Sequence, residues 1–491
     1  MTLIGRKSEI LLLHKLIKYP KAEFIALYGR RRIGKTSLIQ HCFSSSEIYF
    51  ECTGVKNGKL SLQLGHFIKR FSLAFHPLFP ITPPKSWEDA FELLTYQIKQ
   101  ISPKEKIVLF FDELPWLSGK KSEFLSALDY AWNTSWRLLP NVKLIVCGSA
   151  ASWMLGHLIN AKGGLHNRIT HSLLLKPFTL SETNEFLLSK GIKLPPHDLL
   201  DLYITVGGVP FYLQQLDPSQ SLRQNIQHLF FTEEGLLYGE FQRLFQSLFD
   251  ASELNMRIVK EVAKHFYGIS RLDLLRCLGK KTGGRISERL KELESCGFLV
   301  KFLPFGKTKR DYHYRVVDEY TLFYLRWTLT LVEKGLLPKG ANYWNQISHS
   351  AAWMSFAGYA FENICYQHID CLLHALQLDK IPSFCSHWLC RSEDVNAQID
   401  LILDRGDEAI TLCEIKYTRK PFEIDKSYAK KLLQKTEALE QQTKQKKQIF
   451  LVMISVSGVK ENAWSQELLH QTISLTDLLS DKGSHPHTRT P

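Results

Sequence analysis

The sequence predicts a multidomain α/β protein built on a parallel sheet, and three stretches carry that prediction. Phe24 to Tyr28 is an apolar run. Gly29-x-x-x-x-Gly34-Lys35-Thr36 follows it, and Ser37-Leu38-Ile39 opens a helix. Ile107 to Phe111 and Val142 to Cys147 are two more apolar runs, ending in Asp112-Glu113 and Gly148-Ser149. Far downstream, Ala397 to Leu403 and Ile410 to Tyr417 read as paired strands that carry Asp400 and Glu414-x-Lys416. Buried strands that end on polar residues suit a sheet whose chemistry gathers along its carboxyl edge.

Composition sets outer bounds. A chain of 491 residues is too long for one core, which implies about three or four domains. A hydrophobic fraction of 44% with 23% charged residues lets each domain bury a core. Net charge +13 and a pI near 9.1 favour a polyanionic partner, nucleic acid first and an anionic membrane surface second. Met1 to Arg6 lacks the charged start and apolar run of a signal peptide, and no apolar stretch is long enough to span a bilayer. A cytoplasmic protein with no membrane partner is therefore expected. The ten cysteines form no C-x-x-C pair and read as reduced thiols. Cys365, His368, Cys371 and His374 recur every third residue on an expected helix. At that step they drift around the helix, so filling of core or surface is preferred there to metal binding.

The glycines of the loop explain its spacing. Gly29 and Gly34 let the backbone curl so that consecutive N–H groups face phosphate oxygens. Arg30, Arg31, Arg32 and Ile33 fill the variable positions, and the helix from Ser37 adds its positive dipole end. Lys35 is placed to reach the β- and γ-phosphates, and Thr36 offers a hydroxyl to Mg²⁺. A bland basic turn is the competing reading. Asp112 would complete the Mg²⁺ shell and Glu113 would polarise the attacking water. Ser149 would hydrogen-bond the γ-phosphate or that water, against the plainer reading of a strand-end turn. Arg168, after the loop Gly163 to Asn167, would sense phosphate in its own site or complete a neighbouring subunit's. A structural arginine stands as the alternative.

Taken together, Gly5-Arg6-x-x-Glu9, the phosphate loop, Asp112-Glu113-Leu114-Pro115, Cys147-Gly148-Ser149 and Leu165-His166-Asn167-Arg168 resemble the archaeal-type AAA ATPases, a family also widespread in bacteria. Lys176 to Glu182 and Gly207 to Leu213 extend the match over nearly the whole chain. The resemblance implies ATP and Mg²⁺ as cofactors and an adenine-wrapping role for Gly5 and Arg6. It places Gly208 and Pro210 in a helical lid over the nucleotide, and it implies a winged helix and a nuclease-like C-terminal domain. The expected segments are a P-loop ATPase core at 1–175, a helical lid at 176–248, a winged helix at 249–318 and a helical linker at 319–350. A restriction-endonuclease-like domain at 351–479 and a disordered tail at 480–491 complete the chain.

The middle third reads in that order. Arg257 to Phe266, Ser270 to Leu278 and Gly283 to Leu293 are three expected helices. Gly297 to Phe302 and Tyr312 to Val316 are wing strands around a basic tip, Lys307, Lys309 and Arg310. The third helix, with Arg285 and Arg289, can lie in a major groove while the tip meets phosphates. A protein-facing or lid role is the competing reading. Asp318 to Trp327 reads as an aromatic linking helix, core rather than a stacking surface.

The last third carries separate chemistry. Glu362 lies on an apolar helix, Ala357 to Ile369, ahead of the strand pair and its Gly406-Asp407 turn. Glu414 and Lys416 share a strand face, because strand side chains repeat every two residues. With a basic helix behind (Lys426 to Lys435) and a closing strand (Gln448 to Ile454), the set resembles the restriction-endonuclease-like core. That resemblance implies that Glu362, Asp400 and Glu414 hold Mg²⁺ or Mn²⁺, while Lys416 steadies the hydrolytic water or the transition-state charge. The expected function is ATP hydrolysis coupled to binding nucleic acid, DNA first, with metal-dependent cleavage at this site. One rival is an ATP-dependent signalling switch, acting through a homo-oligomer or a protein partner, whose C-terminal domain binds DNA or protein without cleaving. The other is a DNA-binding regulator.

Overall fold

The computed structural model describes residues 3–77, 81–119, 122–159, 168–280, 283–308, 311–336, 343–391, 396–443, 447–480 and 488–489. The chain forms two compact units, Met1–Pro177 with His485–Pro491, and Phe178–Ser484.

In the first unit the apolar runs become strands: Glu23–Tyr28 (β1), Ile48–Thr53 (β2), Ile107–Asp112 (β3), Val142–Gly148 (β4) and His171–Leu174 (β5). They lie parallel in the order β5-β1-β4-β3-β2. β1, β3 and β4 are buried along their whole length, which is why they read as mainly apolar runs rather than alternating ones. Helices Lys7–Lys18 and Lys35–Phe43 pack Leu13, Leu16, Leu38 and Phe43 against Ile25, Val108 and Ile145 of the sheet. Leu60–Phe75 and Trp87–Lys99 contribute a second packed set of rings, Phe67, Trp87 and Phe91, against Phe50, Phe111 and Phe124. Because β1, β4 and β3 are neighbours, the loop after β1 and the ends of β3 and β4 share one edge.

The second unit begins with helices Leu180–Ser189, Pro196–Val206, Leu222–Phe231 and Glu240–Leu248. A capping box starts the first: Glu182 N donates to Thr179 Oγ1 (3.2 Å) and Thr179 N donates to Glu182 Oε2 (2.9 Å). Then come helix Ser252–Val262, the short strand Ile269–Ser270 (β6), helices Arg271–Cys277 and Gly284–Ser295, and the hairpin Leu299–Phe302 (β7) with His313–Val316 (β8). The three strands form an antiparallel sheet, β6-β8-β7. The aromatic stretch after it is core: Tyr320, Phe323 and Tyr324 are buried and meet Phe230 and Phe241.

Helix Ala351–Gln367 leads into a mixed sheet of Ser383–Arg391 (β9), Asn396–Arg405 (β10), Ala409–Lys416 (β11), Gln448–Ser455 (β12) and Gln471–Ser474 (β13). Its order is β13-β12-β11-β10-β9, with β10 antiparallel to both neighbours and β11, β12 and β13 parallel. Helix Lys426–Thr443 makes the crossover from β11 to β12, as parallel neighbours require. The Pro196–Val206 helix is tied to the end of β11 through buried Asp201, which accepts from Tyr417 Oη and from Arg419 Nη2 (3.1 Å). Burial pushes Asp201 up to about 6, although Tyr417 and Arg419 pull the other way. Among the described residues no helix is long and apolar enough to cross a membrane.

Two expectations change here. The loop between β7 and β8 is not a free basic tip at its start. Phe305 is buried in the core of the mixed sheet with Trp388, Ile399 and Ile410, and its N–H donates to His387 O (2.9 Å). A large apolar ring beside an open sheet face is better buried than presented to solvent. The tail is not wholly unstructured, since Thr488–Arg489 (β14) pairs antiparallel with β5. His368 is buried, with Leu180 N donating to its Nε2 (3.0 Å) and its Nδ1–H donating to Ile364 O (2.9 Å). Phe305→Ala should cost about 3–5 kcal/mol in chemical denaturation of the second unit. A loss below about 1 kcal/mol would mean that the hairpin loop is not part of that core.

Candidate functional site

The phosphate loop is held open by its glycines. Gly29 has φ 148° and a Cβ there would lie 2.2 Å from Leu175 O; Gly34 has φ 87°. Lys35 is buried, and its ammonium donates to Gly29 O (3.0 Å), Arg30 O (2.8 Å) and Ser149 Oγ (3.1 Å). Ser149 Oγ in turn donates to Glu113 Oε1 (2.7 Å). Thr36 Oγ1 donates to Asp112 Oδ2 (2.6 Å), and Asp112 Oδ1 accepts from Glu113 N (2.8 Å). Glu113 sits in the left-handed region at φ 47°, an uncommon place for a non-glycine residue. There its carboxylate turns toward the end of β4. Arg6, also left-handed, donates to Ile33 O (3.1 Å) and pairs with Glu9 (3.8 Å), so it braces the loop from the preceding helix. Arg31 lies over the Trp116 ring at 6.0 Å.

This donor set fits a nucleotide with its cation. Backbone N–H groups of the loop and the Lys35 ammonium suit phosphate oxygens, and the paired Thr36 hydroxyl and Asp112 carboxylate suit Mg²⁺. Bound Mg²⁺ would neutralise charge on the β- and γ-phosphates. Ser149 lies between Lys35 and Glu113, accepting from the ammonium and donating to the carboxylate. Arg168 is exposed, and the preceding loop, residues 160–167, lies outside the described residues. Gly208 and Pro210 belong to the second unit. There Phe178 N donates to Gly208 O (2.6 Å), a Cβ on Gly208 would lie 1.9 Å from Phe178 O, and Pro210 starts a short helix.

The second constellation lies in the mixed sheet. The register of β10 against β9 shifts between Ile399 and Ile402, a bulge that re-aims Asp400. Asp400 is buried and accepts from Ile415 N (2.9 Å) and Gln398 Nε2 (3.1 Å). Buried Glu414 accepts from Lys416 Nζ (2.8 Å), Lys435 Nζ (2.7 and 2.9 Å) and Tyr428 Oη (2.8 Å). Burial and the Asp400 charge push Glu362 well above the ordinary carboxylate range. Burial and Glu414 push Asp400 up to about 6. Burial opposes ionisation of Glu414, but Lys416 and Lys435 outweigh it and hold Glu414 low. Against its own burial, Lys416 is held protonated by Glu414 and Asp400. Carboxylate oxygens are the donors that a hard divalent cation takes. Among the described residues, though, Glu362, Asp400 and Glu414 do not bring their oxygens within 4.8 Å of one another as a set.

Sequence reasoning missed Lys435, Tyr428 and Gln398 as partners of these acids. Lys435 and Tyr428 share one helix at a spacing of seven, two turns, which was the available signal. Of the expected nucleic-acid residues, Arg285 and Lys307 are exposed, and Lys309 and Arg310 lie outside the described residues. Arg289 pairs with Glu292 (2.7 Å) and Glu288 (3.0 Å) and is only 12% exposed. An acid at i+3 on the same helix captures the guanidinium.

Comparison with known proteins bears on the first of these sites. Residues 3–216 match a family model described as an ATPase domain predominantly from Archaea. This stretch is an archaeal-type ATPase domain. An uncharacterized protein of Methanocaldococcus jannaschii is 25% identical over 438 residues, covering 84% of this chain and 87% of that protein. Among solved structures, a Walker-type ATPase of Pyrococcus abyssi is 20% identical with a TM-score of 0.45, over 66% of this chain and 96% of that one. The ORC2 protein of Aeropyrum pernix is 13% identical with a TM-score of 0.31, over 67% and 95%. The match of the ATPase domain takes in the phosphate loop, Asp112, Glu113, Ser149 and Arg168, and ends beyond Gly208 and Pro210.

In the ATPase domain, Lys35→Ala should abolish phosphate release while the fold persists. Glu113→Gln should keep ATP bound in a filter assay but slow turnover by roughly 10²–10⁴-fold. Wild-type turnover in both variants would remove these roles. At the acid cluster, a proton on Asp400 must leave when a cation binds. Mn²⁺ affinity should therefore fall by about tenfold per pH unit or more below pH about 6, since Glu362 must lose a proton as well. Calorimetry between pH 5 and 8 reads this, and a flat profile would exclude Asp400 as a ligand.

Proposed function

We propose that the ATPase domain drives a cycle coupled to binding DNA through the second unit, and that the acid cluster of the mixed sheet cleaves the bound strand. The observation that carries this reading is the pair of buried carboxylates, Asp400 at the β10 bulge and Glu414 on β11, with half-buried Lys416 beside Glu414. Acids so placed repel one another, and burying them is costly unless a cation compensates. In this reading helix Ser252–Val262 to β8 is a winged helix and helix Ala351–Gln367 to β13 is a restriction-endonuclease-like module. Glu362, Asp400 and Glu414 would hold Mg²⁺ or Mn²⁺, which supplies charge neutralisation at a phosphodiester. Lys416, kept protonated by its acidic neighbours, acts as a fixed positive charge for the transition state and not as a base. Arg285 and Lys307 meet phosphates, in keeping with the net charge of +13. Gly5 and Arg6 flank adenine, Gly208 and Pro210 form the lid turn, and Arg168 serves its own site or a neighbouring subunit's in a homo-oligomer.

A second reading rests on Glu414 itself. Lys416, Lys435 and Tyr428 already satisfy that carboxylate, as they would in a scaffold that binds DNA or a protein partner and signals the ATP state without cutting. A cleavage gel on single- and double-stranded DNA and RNA with Mn²⁺, with and without ATP, separates the two. In the first reading Asp400→Asn abolishes cutting but not DNA retention, and Lys416→Ala slows cutting by about a hundredfold or more. Retention of DNA by wild type with no cutting of any substrate would favour the scaffold.

A further inference from the structure

Outside both sites, the three-helix module of the second unit brings three different ligand types together. Glu261 lies in the last turn of helix Ser252–Val262, His265 just beyond that turn, and Cys277 at the end of helix Arg271–Cys277. A carboxylate oxygen, a ring nitrogen and the Sγ all lie within 4.8 Å of one another. The separation of His265 Nε2 from Glu261 Oε1 is 3.7 Å. That is too long for a hydrogen bond, yet ligand atoms set around a tetrahedral zinc ion stand about 3.3–3.8 Å apart.

The other Glu261 oxygen is already oriented. Lys264 Nζ donates to Oε2 at 2.7 Å, which leaves Oε1 facing the imidazole. A carboxylate fixed by an outer partner is how ligating acids are commonly aimed. Glu261 and His265 are partly exposed and Cys277 is exposed, so a fourth position stays open to water.

We propose that Glu261, His265 and Cys277 form a binding site for a zinc-class transition-metal ion, which clamps the first two helices of this module together. Thiolate, imidazole and carboxylate in one set favour Zn²⁺ over the hard cations Mg²⁺ and Ca²⁺. Binding expels the thiol proton, and the metal–sulfur bond replaces the S–H. The clamp would also fix the turn that follows His265. That turn places Phe266 on the Tyr359 ring at 4.5 Å, and Tyr359 lies one helical turn before Glu362. This site is independent of the cleavage reading, since none of its three ligands belongs to either constellation.

The test is a Co²⁺ titration of the reduced full-length protein, followed by the thiolate-to-cobalt charge-transfer absorption in the near ultraviolet. Wild type should bind one equivalent with that band and lose it when Zn²⁺ is added. Cys277 is the one exposed cysteine among the described residues, so Cys277→Ser should remove the band while ATP turnover and circular dichroism stay unchanged. His265→Ala should keep a weakened band and bind at least about tenfold less tightly. Zn²⁺ should raise the melting temperature of wild type and leave that of Cys277→Ser unmoved. No band in wild type, or the same band in Cys277→Ser, would overturn the proposal and leave the cluster an ordinary surface ion pair.

Discussion

A buried ammonium organises the first unit. Lys35 cannot stay charged beneath the loop without acceptors, and the acceptors it finds tie three elements together. Gly29 and Arg30 carbonyls fold the loop back over it, and Ser149 joins it to the end of β4. Ser149 reaches Glu113, and Glu113 continues β3 beyond Asp112. The strand order β5-β1-β4-β3-β2 makes this chain of bonds short enough to close. In any order that separated β1 from β4, the lysine and the serine would lie at distant strand ends.

The mixed sheet solves the opposite problem, an excess of buried negative charge. Its solution is partial. Lys416 and Lys435 neutralise Glu414, and a backbone N–H and an amide serve Asp400. Burial and Asp400 favour the proton on Glu362, although Arg315 and Lys416 pull the other way. Such residual conflict is uncommon in a purely structural core and common where a ligand completes the charge balance.

The second unit gains its coherence from side chains that cross between its modules. Phe305 leaves the β7–β8 hairpin for the core of the mixed sheet. Asp201 reaches from the helix Pro196–Val206 to Tyr417 and Arg419, directly after Lys416 in sequence. Tyr417 thus places one end of the acid-bearing strand under control of a helix some two hundred residues earlier in the chain.

What the sequence by itself determined is whatever depends on local pattern. Apolar runs marked β1, β3 and β4, broken in β4 only by Lys143, because both faces of a parallel sheet are covered. The spacing of Gly29, Gly34, Lys35 and Thr36 marked the loop because phosphate geometry demands it. Alternation by two put Glu414 and Lys416 on one face. The tertiary structure alone decided what depends on partners distant in the chain. Lys435 and Tyr428 reach Glu414 from the crossover helix, and Phe305 enters another module's core. A β-bulge at Asp400 and the meeting of Glu261, His265 and Cys277 are likewise outcomes of packing. Hydrophobic period and motif spacing record one element's preferences, whereas these contacts follow from which elements pack together, and that is decided by burial over the whole chain.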